Sequence, residues 1–437
     1  MSLRRTATVA LALTAGLSLS ACSSGTPAAA GSSSDEPVSI TFASYNLGTE
    51  GAAGEGTQEL IDLFMEKNPH ITVEGRAIPN AEILTRTRTD VAAGNGPDVV
   101  QMGYSKVREA LTTLPMQSIE EAAGEEWAEA TEGLPQGILN TGDWEGSNHG
   151  VPYTVSTPTL FYNATLFEEL GLDAENPPET LAEIREAAEV LVDAGHHGVH
   201  FGLVSESKAD FVAQSVLNSV GGSLTVDDGE DIGIDSDEAK EGFTLLQDLV
   251  TDGLMPAVKA EDAMAAFTQG DLGMFINTTA YSSSLVKASE SAGWEVRTAG
   301  FPELIDGMAP KPTHSGAALM MLSTETAEQQ AAWEFIEFMT SPEAYMIITE
   351  KIGYLPLRAD MVDDPEWLGG YFAENQMLVP ALEQLKDVAP YQFFPGERSN
   401  QATVTYHDEA VDPILVQGAD VDSSLDDVAE KIRAELP

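Results

Sequence analysis

VSITFASY at residues 38–45, ITVEGRAI at 71–78 and DVVQM at 98–102 decide the fold of this chain. Each run is short, apolar and rich in β-branched residues, the pattern of a strand. Between the first two, Leu60, Ile61, Phe64 and Met65 share one face of a helix read over 57–67. Asn68-Pro69 stops it. Residues 81–93 read as a second helix, and Gly94-Asn95-Gly96-Pro97 turns the chain into the third strand. Strand, helix, strand, helix, strand predicts an α/β unit with a parallel sheet under covering helices. Ligands of such sheets bind beyond the carboxyl ends of the strands. The loops there carry Tyr45-Asn46, Pro79-Asn80 and Gly103-Tyr104.

A second α/β run follows a loop-rich stretch that ends in HGVPYTVSTP, residues 149–158. A strand over 160–163 feeds a helix over 164–170. A helix over 180–194 sets Leu181, Ile184, Ala188 and Leu191 on one face, and 201–204 reads as another strand. Helices at 210–220 and 237–251 complete the run. Farther on, Gly273–Ile276 reads as a short buried strand, with Asn277 and neighbouring hydroxyls at its carboxyl end. Trp333, Phe335, Ile336 and Phe338 on a helix over 331–339 read as core, and a further helix begins at Tyr345. No internal repeat is present, and the layout predicts two α/β lobes.

Composition bounds the function. With 43% hydrophobic residues in 437, the chain can bury large cores. A formal charge of −50, from 71 acidic and 21 basic residues, argues against nucleic acid and anionic lipid headgroups as partners. Most of these carboxylates read as solvated helix faces. One cysteine leaves no intrachain disulfide, so packing alone must hold the fold.

The leader is informative. MSLRRTATVALALTAGLSLSAC places Arg4 and Arg5 before an apolar stretch over 6–19 and small residues before Cys22. That stretch is too short to cross a hydrocarbon core of about 30 Å. The segment resembles the bacterial lipoprotein signal (residues 1–22), which implies export and lipidation at the Cys22 sulfur. Residues 23–37, rich in Gly, Ser and Ala, read as a flexible tether. The expected address is the extracytoplasmic face of a cell membrane, with the chain held by its lipid.

Four stretches carry a wider resemblance: AAGNGPDVVQM (92–102), VPYTVSTPTLFYNATLFEELGLD (151–173), MAAFTQGDLGMFINTTAYSSSL (264–285), and the run from Ser315 to Met361. Together, behind a lipoprotein leader, they resemble the carbohydrate-binding family 1 of extracellular solute-binding proteins of ABC importers. The resemblance implies a type II periplasmic-binding-protein fold of two lobes joined by three crossings. These fall near 153–158, 312–316 and 354–360, with lobes over 38–155 plus 315–357 and over 156–314 plus 358–437. It also implies a ligand in the interlobe cleft, hinge closure around it, two permease subunits and an ATPase as partners, and a monomer without cofactor.

A sugar offers hydroxyls and apolar C–H faces, so its site needs rings beside amides and hydroxyls. Tyr45, Asn46, Asn80, Tyr104, Tyr153, Ser156, Asn277, Thr278, Ser315, Gly316 and Tyr354 meet that need at strand ends and crossings. Phe211, opening a helix, is a stacking candidate. His196, His197 and His200 lack a clear further ligand and are not read as a metal site. The stretch PYQFFPGERSNQATVTYHDEAVDPIL (390–415) resembles the glycerol-3-phosphate-binding branch, which implies phosphate contact by Arg398. Ser315-Gly316 and Tyr354 match that branch, whereas Asn80 and Tyr104 replace its tyrosine and acidic residue. The expected function is capture of a mono- to oligosaccharide for import. The rivals are binding of glycerol 3-phosphate or a glycerophosphodiester, an extracytoplasmic carbohydrate hydrolase, and an adhesin. Against the hydrolase, no G-x-S-x-G nucleophile motif is present.

Overall fold

β1 (Val38–Ser44), β2 (Ile71–Ala77) and β3 (Val99–Gly103) form where the sequence pattern places them. β1 is central, parallel to β2 on one side and to β3 on the other. The computed structural model describes residues 37–49, 51–208, 210–226 and 229–435. The leader with Cys22 and the tether up to residue 36 lie outside the described residues. Residues 37–437 make one compact unit.

Helix α1 (Ala52–Lys67) buries Leu60, Ile61 and Phe64. It begins earlier than the apolar face indicates, because its first turns use small residues. A Cβ at Gly56 would stand 2.7 Å from Ile352 Cγ1, so this face is packed by close approach. Helix α2 (Ile83–Ala92) follows a 3-10 turn at Asn80–Glu82, which breaks the helix expected over 81–93. Helix α3 (Tyr104–Thr113) starts directly at the end of β3.

The other strands of the two main sheets are β4 (Gly150–Ser156), β5 (Pro158–Asn163), β6 (His197–Phe201), β7 (Leu272–Thr278), β8 (Val296–Ala299) and β9 (Ser315–Met321). The first sheet has the order β2-β1-β3-β9-β4 and the second β8-β5-β7-β6. β9 enters the first sheet antiparallel to both β3 and β4, so a parallel beginning becomes a mixed sheet. The expected strand over 201–204 lies earlier, at β6. Its alternation is hidden by His200, a buried residue whose Nε2 meets Val258 O at 3.1 Å. His196 and His197 sit instead beside Asp271, at 3.4 and 3.9 Å.

Helix α4 (Phe211–Ser219) packs against the second sheet, and helix α5 (Thr326–Met339) covers the first. Phe335 of α5 meets Phe42 and Phe64 edge-on, each at 5.1 Å. Such pairs add about 1 kcal/mol each beyond area burial. The helix expected from Tyr345 begins earlier, at Pro342, because Ser341 caps it: its Oγ accepts from Ala344 N at 3.2 Å, with Pro342 in the first turn.

Thr157 alone separates β4 of the first sheet from β5 of the second. The chain returns between Ala299 and Ser315, and Leu355 N donates to Val155 O at 2.9 Å farther on. Gln384 holds two of these passages together. Its Nε2 donates to Thr157 Oγ1 at 2.7 Å and Pro158 O at 2.9 Å, while its Oε1 accepts from Phe301 N at 2.8 Å. Gly316, at φ +126°, lies just before the register shift between Ala317 and Ala318 of β9, and a Cβ on it would lie 2.1 Å from Thr154 O. Only glycine fits there. Among the described residues no helix is long and apolar enough to cross a membrane.

Candidate functional site

A cleft of about 580 Å³ opens where the strand ends of the two sheets face each other. Tyr45 and Asn46 reach it from the end of β1, Asn80 from β2, and Gly103 and Tyr104 from β3. Asn277 and Thr278 close β7 on the other side, next to Gly202 after β6 and Phe211 at the start of α4. Ser156, Ser315, Gly316 and Tyr354 supply the floor from the passages between the sheets. The sequence-predicted residues therefore converge, apart from two. Tyr153 is fully buried on β4 and does not line the cleft. Arg398 is exposed and lines a separate depression with Arg88, Glu109 and Lys431.

Local chemistry fixes the walls. Ser44 Oγ donates to Gln101 Oε1 at 2.5 Å and accepts from Asn46 N at 3.1 Å, which pins the turn after β1. The Asn46 Nδ2 amide and the Tyr104 hydroxyl are buried and have no hydrogen-bond partner among the described residues. Opposite, Asn277 Oδ1 accepts from Thr278 N at 2.8 Å. Gly202 leaves room for that side chain, since a Cβ there would lie 2.2 Å from Asn277 Nδ2. Thr278 Oγ1 bridges the two walls by donating to Ser156 Oγ at 2.7 Å. Burial, then the facing Tyr354 phenol, pushes the Tyr45 hydroxyl well up, and burial first pushes Tyr354 up to about 12. Both remain neutral donors and acceptors in ordinary buffers.

Several residues at the cleft escaped the sequence reading: Ser105, Tyr391, Glu206 and Glu261 line it, whereas the buried Lys106 and Asp210 stand behind the lining. Ser105 and Lys106 lie in the first turn of α3, one and two positions beyond the Tyr104 where that reading stopped. Lys106 is 3% exposed, and its Nζ lies 3.4 Å from both Asn80 Oδ1 and Ser105 Oγ. Burial lowers its ammonium to about 8, against a smaller opposing pull from Asp210. Asp210 is buried just before α4, hydrogen-bonded by the Tyr391 hydroxyl and by Gln214 Nε2 at 2.9 Å. Desolvation raises its carboxyl above the usual range despite these donors. Tyr391 lines the cleft, so the stretch singled out for Arg398 contributes a different side chain. Glu206 and Glu261 stand on the second-sheet wall, where Glu206 N donates to Glu261 Oε1 at 2.9 Å. In so acidic a chain nothing local distinguished them.

A larger cavity, about 1240 Å³, lies elsewhere and is lined by Ile138, Leu357, Val362, Phe372 and Leu382 among others. His314 lines it, while its ring packs 4.9 Å from Tyr104 and 5.9 Å from Tyr391 of the cleft. Among the described residues no group of three or more metal-ligating side chains is present.

The model of the bacterial extracellular solute-binding protein family matches residues 48–346. The chain belongs to this family. A binding protein of Brucella abortus is 26% identical to this solute-binding protein, over 97% of each chain. The galactooligosaccharide-binding protein of Bacillus subtilis is 23% identical, over 96% of this chain and 94% of its own. The crystal structure of UgpB from Mycobacterium tuberculosis in complex with glycerophosphocholine superposes with a TM-score of 0.78 at 21% identity, covering 91% of this chain and 98% of that one. The solute-binding protein thus has the type II periplasmic-binding-protein fold, two lobes joined by three crossings.

Proposed function

We propose that this solute-binding protein captures a sugar, from one to several residues long, in the cleft between its sheets and delivers it to an ABC permease. The observation that carries the reading is the convergence of phenol rings, amides and hydroxyls from both sheets on one cleft. Rings take the C–H faces of a pyranose, and amides and hydroxyls take its hydroxyl groups. A ligand that touches both walls favours the closed arrangement by its differential affinity, so capture and hinge closure are one event. The lobes are 38–155 with 315–357 and 156–314 with 358–437.

Cys22 is the lipidated residue in this reading. The anchor raises the concentration of a monomeric binding protein near its permease. Replacing Cys22 by Ser releases the protein into the medium; retention at the membrane would count against the anchor.

Titration calorimetry on residues 38–437 with sugars, glycerol 3-phosphate and glycerophosphocholine tests the ligand class. The expected result is one-to-one binding of a sugar. Binding confined to the two glycerol phosphates overturns the sugar reading in favour of a glycerophosphodiester, which the likeness to UgpB supports. Release of shorter glycans by the purified chain would instead mark a hydrolase.

A further inference from the structure

The second-sheet wall of the cleft carries two carboxylates that face open space. Glu206 and Glu261 both line the cleft, and both are exposed. Backbone bonds hold them side by side. The loop after β6 is fixed where Ala260 N donates to Val204 O at 2.7 Å, and Glu206 N then donates to Glu261 Oε1 at 2.9 Å. Glu261 stands in the first turn of the helix Ala260–Thr268, whose dipole favours its ionised form. Among the described residues no Lys, Arg or His side chain lines the cleft to balance the pair. Lys208 is engaged by Asp408 and Asp412 at 2.8 and 2.6 Å, Lys106 is buried behind the lining, and Lys259 is exposed outside it.

Asn277, at the end of β7, is 5% exposed and lines the same wall. Its Oδ1 is turned to Thr278 N at 2.8 Å, so its free polar end in the cleft is Nδ2, which has no partner among the described residues. That amide stands against Gly202, at the head of the loop that leads to Glu206. One unpaired donor thus shares a wall with two unpaired acceptors. Tyr45, Tyr281, Tyr354, Tyr391 and Phe211 surround the space with rings, whose faces attract cations. Burial, then the nearby Glu261 carboxylate, push the Tyr281 hydroxyl up, so ring and carboxylate stand within reach of each other.

Closure around a ligand strips water from both carboxylates. Like charges without a counter-ion are costly once dry. A neutral sugar leaves that cost standing. A protonated amine on the sugar offsets it, with three N–H donors for the two carboxylates.

We infer that the cleft takes an amino sugar, its ammonium against Glu206 and Glu261 and a ring hydroxyl accepting from Asn277 Nδ2. This rests on the sugar-capture reading and narrows its substrate class. The overall charge of −50 attracts any cation, but salt screens it beyond about 8 Å, so these two side chains set the preference.

The test is calorimetry in about 0.15 M salt, pairing glucosamine with glucose, galactosamine with galactose, and the glucosamine dimer of chitosan with cellobiose. N-Acetylglucosamine controls for bulk without charge, and glycerophosphocholine is a cation that is not a sugar. Expected is binding of an amino sugar about tenfold tighter, or more, than its neutral counterpart and its N-acetyl form. Glu261→Gln keeps the shape and the bond from Glu206 N, and Glu206→Gln keeps its own shape; each brings that ratio down toward one. Thermal melts confirm that both variants are folded. Neutral sugars that bind as tightly as amino sugars, or no amino sugar bound, overturn the ammonium seat and leave neutral-sugar capture standing if those sugars bind. A preference that survives both substitutions overturns the assignment to these carboxylates. Glycerophosphocholine bound alone overturns the sugar reading, and the amino sugar with it.

Discussion

The cleft and the larger cavity lined by Leu357 and Phe372 are opposites. The larger one, at about 1240 Å³, is walled by Ile, Leu, Val and Phe side chains, and size alone would make it the binding site. The cleft has less than half that volume, yet it collects the ends of β1, β2, β3 and β7 and two buried polar groups without partners. A sheet offers chemistry at its strand ends, where backbone and side chains stop satisfying each other. An apolar hollow between loops offers area without direction. Position relative to the strands, with donors that have nowhere else to bond, marks the site better than volume does.

The largest expected effect concerns the wall that both spaces share. His314 is buried with neither ring nitrogen partnered, and burial lowers it to about 4; His200 falls to about 4 and His407 to about 3 for the same reason. Their unfolded values lie near 6.5. Between those limits the unfolded chain binds protons that the folded chain refuses, so stability present above pH 6.5 is lost as the pH falls toward 4. Each imidazole then costs about 2 kcal/mol at pH 5. Melting curves from pH 7 to 4.5 should show a steep fall, shallower in His314→Phe; a flat profile would contradict the burial.

Gly316→Ala comes next. It forces a Cβ against Thr154 O at a left-handed φ, costs about 2 kcal/mol, and displaces a cleft residue, so affinity drops with melting temperature. An unchanged melt would mean that the backbone at Gly316 relaxes freely.

A paired comparison separates the two spaces directly. Phe211→Ala should weaken ligand binding about tenfold, the worth of roughly 1.4 kcal/mol of ring contact. Phe372→Ala should destabilise the fold by about 3 kcal/mol and leave affinity within twofold. Reversed outcomes would move the site to the larger cavity. Smallest of all, Arg398→Ala should change affinity less than twofold, since that side chain is exposed in a separate depression. A tenfold loss would return Arg398 to the ligand.

Much of the first lobe was legible because its order is local. Three apolar runs and two helical stretches, each read within a dozen residues, suffice for β1 to β3. β9 was not legible in that way: it pairs with β3 and β4 from far along the chain, and no periodicity announces a partner. Strand-end loops gave up Tyr45, Asn46, Asn80 and Asn277 by a rule of topology. Lys106 and Asp210 were missed because sequence cannot tell a buried charge from a solvated one in a chain with so many. Arg398 falls outside the cleft for the converse reason: a guanidinium suits phosphate wherever it lies, and this one is exposed on a separate depression, just before the helix that starts at Ser399.

Gln384 does not line the cleft, yet one amide ties Thr157 and Pro158 to Phe301. Two separate passages between the sheets are thereby stapled side by side, like two leaves on one pin. Relative motion of the lobes becomes turning about that pin, with little sliding or shear. Displacement then grows with distance from it: almost none at Thr157, most at the outer rim. A label on the rim would report occupancy as a large signal, and one beside Gln384 would stay silent.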